Sequence, residues 1–236
     1  MYKKLFLVAV ISTVTTLCAH QVITENIGTN KFEVKFWAHG NFAPYKANQL
    51  IAANAYDLNS KEIKTGINYH FGENKTPEVL TAAKPAIIAS AFDAGYWVES
   101  DKGGAFVDGG KSAANGVVFS TSRSVKLGKT YFSWNPNLTS PIGLKLEVIA
   151  LSDPFKLKIG DYLPVLVLKN GAPIKGIGFE VGKEESKVIT NEFGIAQIEI
   201  KERGLNIIAA IDSEQELQDP NANTLLLQSS ISFELK

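Results

Sequence analysis

Short runs in which apolar and polar residues alternate recur along the chain. Phe32-Glu-Val-Lys-Phe36 alternates one for one, and Leu144-Lys-Leu-Glu-Val-Ile149 does so in its first five positions. A period of two marks a strand with one face buried. No stretch after residue 19 sustains a helical period over three turns with caps. Ala86-Ile-Ile-Ala-Ser-Ala-Phe92 and Tyr96-Trp-Val98 flank Asp93-Ala-Gly95, whose composition signals a turn. Gly128-Lys129 separates Ser124-Val-Lys-Leu127 from Thr130-Tyr-Phe-Ser133 in the same way. Strands at short spacing with Gly, Asn and Asp between them predict an all-β sandwich.

The pattern breaks at residues 134–143, where two prolines, two asparagines and a glycine fall within ten residues. That composition predicts a linker. Beyond it the strands resume. Leu163 to Lys169 reads as a strand, with Pro164 confining it to an edge or a strand start. Asn170-Gly171 predicts a tight hairpin, because both central positions of such a turn need positive φ. Thr190-Asn-Glu-Phe-Gly194 predicts another turn, and Leu205–Ile211 and Leu225–Leu235 close the set. The expected organisation is therefore two β-sandwich domains, 20–142 and 143–236, the second immunoglobulin-like.

Residues 1–19 follow a different logic. Lys3-Lys4 precede the apolar run Leu5–Ile11, and Leu17-Cys18-Ala19 ends in a small residue. Basic start, short apolar middle and small residue at the cut together predict a secretory signal peptide cleaved after Ala19. Taking 19 residues from 236 leaves 217, with no cysteine, and 22 basic against 24 acidic side chains. A cysteine-free exported protein of this size suits a bacterial periplasm rather than a disulfide-forming animal secretion.

Composition narrows the chemistry by exclusion. Lys and Arg equal Asp and Glu at 24 each over the whole sequence, and no basic run stands out, so a nucleic-acid partner is not expected. One cysteine and three histidines rule out a Cys-based zinc module. Gly-x-Ser-x-Gly, His-Glu-x-x-His and a phosphate-cradling Gly-rich loop are absent from the sequence. The expectation is a binding protein and not an enzyme.

The histidines carry the positive signal, and all three lie in the first 70 residues. His20 becomes the first residue after cleavage. His39 ends the strand-like Phe36-Trp-Ala-His-Gly40, and His70 ends Ile67-Asn-Tyr-His-Phe-Gly72. An N-terminal histidine offers its α-amine and its Nδ1 to one metal in a six-membered ring. The amine's ordinary pKa of ~7.7–8 makes its lone pair cheap to free near neutrality. Imidazole nitrogen suits Ni(II), Co(II), Cu(II) and Zn(II). Against this stands the reading in which each histidine is an ordinary hydrogen-bonded side chain, and Phe36-Trp37 and Tyr96-Trp97 are core.

Four segments bear a resemblance: Ala19-His20, Val34-Lys-Phe-Trp-Ala-His-Gly40, Phe92-Asp-Ala-Gly-Tyr-Trp-Val98, and Leu146 to Phe155 with Lys158-Ile-Gly-Asp161. In these the chain resembles the periplasmic components of nickel/cobalt uptake transporters of the energy-coupling-factor type, a domain family of uncharacterised function. The resemblance implies a periplasmic protein that captures Ni(II), or less readily Co(II), and delivers it to that membrane transporter. It implies His20 with its amine, His39 and His70 as ligands. Cu(II) is the alternative cargo, since copper binds nitrogen sites more tightly. Two other functions remain open: an immunoglobulin-like surface, adhesion or glycan-binding module, and a copper protein of the histidine-brace kind.

Overall fold

A computed structural model describes residues 20–38, 40–70, 76–216 and 218–236. The expected leader at 1–19 and the candidate ligand His39 lie outside the described residues. Eighteen strands carry the described chain. The first ten are β1 His20–Gly28, β2 Lys31–Ala38, β3 Asn41–Ala43, β4 Leu50–Tyr56, β5 Glu62–Ile63, β6 Thr65–Asn68, β7 Glu78–Thr81, β8 Ile87–Ser100, β9 Gly103–Phe106 and β10 Val118–Tyr131. After the linker come β11 Leu146–Ala150, β12 Tyr162–Lys169, β13 Ala172–Pro173, β14 Gly178–Val181, β15 Glu184–Ile189, β16 Ile195–Glu199, β17 Gly204–Gln215 and β18 Thr224–Leu235. The all-β expectation holds. No helix among these residues is long and apolar enough to cross a membrane.

The strands form three sheets. The first runs β1-β2-β7-β6, with β3 also on β2. The second has nine strands in the order β15-β14-β17-β18-β10-β8-β4-β5, with β9 on β8. The third is β11-β12-β13, with β16 on β12. The nine-stranded sheet crosses the expected boundary at 142/143. Its two halves join where β10 and β18 pair in parallel, from Ser122↔Thr224 to Thr130↔Ser232.

Alternation along the central strands reveals how the sheets stack. Ile87, Leu127 and Tyr131 bury with Leu146, Val148, Val165 and Ile198 of the third sheet. Ile88 and Phe92 bury instead with Phe32, Val34 and Val79 of the first sheet. Successive residues of a strand point to opposite faces. The central sheet is therefore covered on both sides, by the first sheet on one face and the third on the other. Each large aliphatic or aromatic side chain so buried contributes roughly 1.5–3 kcal/mol.

Two turn signals in the sequence prove to be interior features of strands. Gly128-Lys129 lies inside β10. A Cβ on Gly128 would stand 2.2 Å from the Val22 carbonyl oxygen, so glycine is there to let β1 lie directly on β10. Asp93-Ala-Gly95 lies inside β8, where the pairing with β10 slips at Ser124/Val125 and Gly95 takes φ +88°. It is a bulge and not a reversal. The expected hairpin at Asn170-Gly171 is present, with φ of 51° and 79°. Pro164 sits where β12 already pairs with β16 but has not yet begun its register with β11.

One ion pair ties the linker to the central sheet and to the third sheet. Lys129 on β10 donates to Glu147 on β11 at 2.9 Å, with each side chain 1% exposed. Glu147 also accepts from the backbone N–H groups of Ile142, Gly143 and Leu144, at 2.9, 3.0 and 3.2 Å. Four donors on one buried carboxylate satisfy it fully and fix the entry of the chain into the third sheet. Glu147→Ala strands the Lys129 ammonium and is expected to lower unfolding stability by about 3–5 kcal/mol in urea denaturation. Gly128→Ala is expected to cost about 1–3 kcal/mol by the same measurement, because β1 must lift off β10.

Candidate functional site

The site with most structure behind it lies at the start of β1. His20 pairs with Ala38 across the first sheet, and Ala38 immediately precedes His39 in sequence. The His20 ring stacks on Phe36 at 5.6 Å and 15°. Phe36 stacks on Phe92 at 5.1 Å and 12°, and Tyr45 meets Phe92 edge-on at 5.1 Å. Tyr45 donates to the Val34 carbonyl at 2.6 Å, and burial, aided by the Glu33 charge, pushes its phenol up. A column of aromatic rings thus runs from the central sheet to the imidazole. Its strand cannot drift, since Val22 rests on Gly128 and the Thr24 N–H donates to Thr130 Oγ1 at 2.9 Å.

Beneath this end of β1 the central sheet is polar. Lys126 faces the first sheet beside Phe92, its partner in register on β8. Gln228 is its partner on β18. Burial drags the Lys126 amine down to about 7, while the Glu180 carboxylate pulls it the other way. Gln21 donates to Glu180 at 3.4 Å from the underside of β1. Among the described residues, Lys126 and Glu180 are the buried ionisable side chains on this face, held where water is excluded and electrostatic interactions are strong.

His70 stands elsewhere. It follows β6, and β6 and β1 are the opposite ends of the path β1-β2-β7-β6. Three strand steps of ~4.8 Å separate them by about 14 Å. The His70 Nε2 lies 3.1 Å from Glu78 Oε2 and 3.1 Å from Asn68 Nδ2. Glu78 also holds Lys31 at 2.7 Å, and Lys31 foremost, then His70, keeps its carboxyl below the usual range. Among the described residues no group of three His, Cys, Asp or Glu side chains is arranged to hold a metal ion. His39, which completes the expected ligand set, is not among those residues.

The aromatic pairs divide. Phe36 lines the His20 ring, whereas Trp37 buries with Ile23 and Ile207 between the first and central sheets. Tyr96 and Trp97 belong to the long β8–β9–β10 extension. Tyr96 donates to Asp219 at 2.6 Å, and Trp97 donates to Glu99 at 2.6 Å and packs edge-on against Phe106. Sequence reasoning missed Lys126, Glu180 and Gln228. All three occupy the polar phase of alternating strands, which reads as solvent-facing until a second sheet is known to cover it.

Comparison with known proteins adds a family without a function. An uncharacterized protein of Haemophilus influenzae strain Rd is similar, at 27% identity over 217 residues, covering 92% of this chain and 90% of that protein. No solved structure matches. A family model described as a domain of unknown function, DUF4198, matches residues 17–214, which take in the His20 site, the whole third sheet and the central sheet apart from β18 and the last residue of β17. The chain belongs to the DUF4198 family.

Proposed function

We propose that this chain is a periplasmic metal-binding protein that captures Ni(II) and passes it to a membrane uptake transporter. The observation that carries the reading is the placement of His20: first residue of β1, ring stacked on Phe36, and opposite the residue that precedes His39. Cleavage after Ala19 gives this histidine a free amine on a strand already immobilised by Gly128. Little conformational entropy is then left to lose when the amine and imidazole close on an ion. His39 supplies the next nitrogen. His70, with Nε2 engaged by Glu78, has only Nδ1 to offer and follows the strand at the far end of the sheet from His20.

Nickel as cargo, with cobalt second, rests on the resemblance noted in the sequence. The energy-coupling-factor type of transporter as recipient has the same support. Copper competes on affinity, so selectivity depends on geometry and metal supply. With no cysteine after Ala19, the mature chain has no thiolate to draw soft Cu(I).

The mature protein is expected to bind one Ni(II) by calorimetry at neutral pH. Affinity should fall as pH drops through the imidazole range, because protons compete for the same nitrogens. One extra residue ahead of His20 moves the amine away and should weaken binding at least tenfold. His39→Ala should do the same, with unfolding unchanged, whereas His70→Ala should change affinity least. Equal affinity in the extended and native forms would remove the amine from the site. No retained nickel in the native form would remove the function.

A further inference from the structure

The sequence holds two Asn-Gly pairs, Asn115-Gly116 and Asn170-Gly171. An asparagine followed by glycine is open to attack on its own side chain, because glycine has no Cβ to crowd the approach of its amide nitrogen. The backbone decides whether that attack can occur, and here the two pairs differ. Asn170-Gly171 forms the two-residue hairpin, with φ of 51° and 79°. The ladder pair Lys169↔Ala172 closes it, and the Asn170 N–H donates to the Lys145 carbonyl at 2.8 Å. Attack at Asn170 would have to turn its ψ out of the left-handed well that this turn requires.

Asn115-Gly116 is held at its flanks and nowhere between. Residues 113–117 join a short turn at Gly110–Ser112 to the start of β10. On one side the Ala113 N–H donates to the Gly110 carbonyl at 3.2 Å. On the other, Asp101 clasps Val117: the Asp101 N–H donates to the Val117 carbonyl at 3.0 Å, and the Val117 N–H donates to Asp101 Oδ1 at 2.9 Å. Ala114, Asn115 and Gly116 make no backbone hydrogen bond with the described residues. The Asn115 side chain makes none with them either, and Asn115 and Gly116 are both exposed. The side-chain amide and the next peptide nitrogen are therefore unbonded and in water. They are tethered on adjacent residues, so their reaction is intramolecular and gains from proximity.

We propose that Asn115 is a site of spontaneous deamidation and that the fold protects Asn170 from the same reaction. The Gly116 nitrogen attacks Asn115 Cγ and loses its proton to solvent. Ammonia leaves as the new nitrogen–carbon bond closes a five-membered succinimide. Water then opens that ring at either carbonyl, giving aspartate or isoaspartate. The step consumes one water and releases one ammonia, with no change of oxidation state. Its product bears a new carboxylate on the residue next to Gly116, and Gly116 lies so close to Asp101 that an added Cβ would stand 2.2 Å from Oδ1. Conversion thus brings a second negative charge into the neighbourhood of Asp101, where like charges repel.

The test is peptide mapping by mass spectrometry after the purified protein has stood at mildly alkaline pH, both folded and in denaturing urea. In the folded protein the Asn115 peptide should take on the mass of the aspartate form about tenfold faster than the Asn170 peptide, or more. In urea, where the hairpin is gone, the two should convert at similar rates. Conversion at Asn115 should slow at mildly acidic pH, because the attacking nitrogen must shed its proton. Isoaspartate at position 115, detected by enzymatic methylation of its carboxylate, reports the ring, and Asn115→Gln should remove that signal. An Asn115 that stays intact in the folded protein overturns the proposal. So does equal conversion of Asn115 and Asn170 in the folded protein, and aspartate without isoaspartate overturns the ring step.

Discussion

The parallel pairing of β10 with β18 is the constraint on which the rest of the molecule depends. It joins strands from before and after the linker into one nine-stranded sheet. Parallel strands need a long crossover, and here the crossover is nearly the whole second half of the chain. With that sheet in place, the other two have only one surface each to cover. The third sheet is drawn onto one face by its Val, Leu and Ile side chains and locked by Glu147. The first sheet takes the other face, where Gly128 lets its leading strand come closest.

This arrangement explains what could be read from the residues and what could not. The strands themselves were legible, because a period of two and Asn-Gly or Gly-rich turns are local signals. Asn170-Gly171 needed nothing beyond its own φ angles. Gly128 and Asp93-Ala-Gly95 were misread as reversals, since glycine marks a close approach or a bulge as readily as a turn. Only the partner strand decides, and it lies far off in sequence: Val22 for Gly128, Val125 for the bulge. The layer count was hidden for the same reason. Ser124, Lys126, Gly128 and Thr130 look like a solvated face, and a sandwich reading has no place for a second buried face.

The site was legible in part. His20 stood out through the chemistry of a histidine at the expected cut, and Phe36 proves to be the ring beneath it. The support around them was invisible. Phe92, Tyr45 and Lys126 come from segments 25 to 106 residues away and meet only through the sheet register. The partner of His70 was equally out of reach of the sequence, since Glu78 meets its Nε2 from a neighbouring strand.

β18 sits in the middle of the central sheet although it is the latest strand to be made. Until residues 224–235 arrive, β10 and β17 each face a gap, and neither cover has a finished surface to settle on. Contacts this distant along the chain form slowly. A polypeptide made from its amino end therefore holds two unpaired edges open until residues 224–235 have emerged. During that interval such edges invite mispairing with other chains, so dilute conditions favour the native sheet over aggregates.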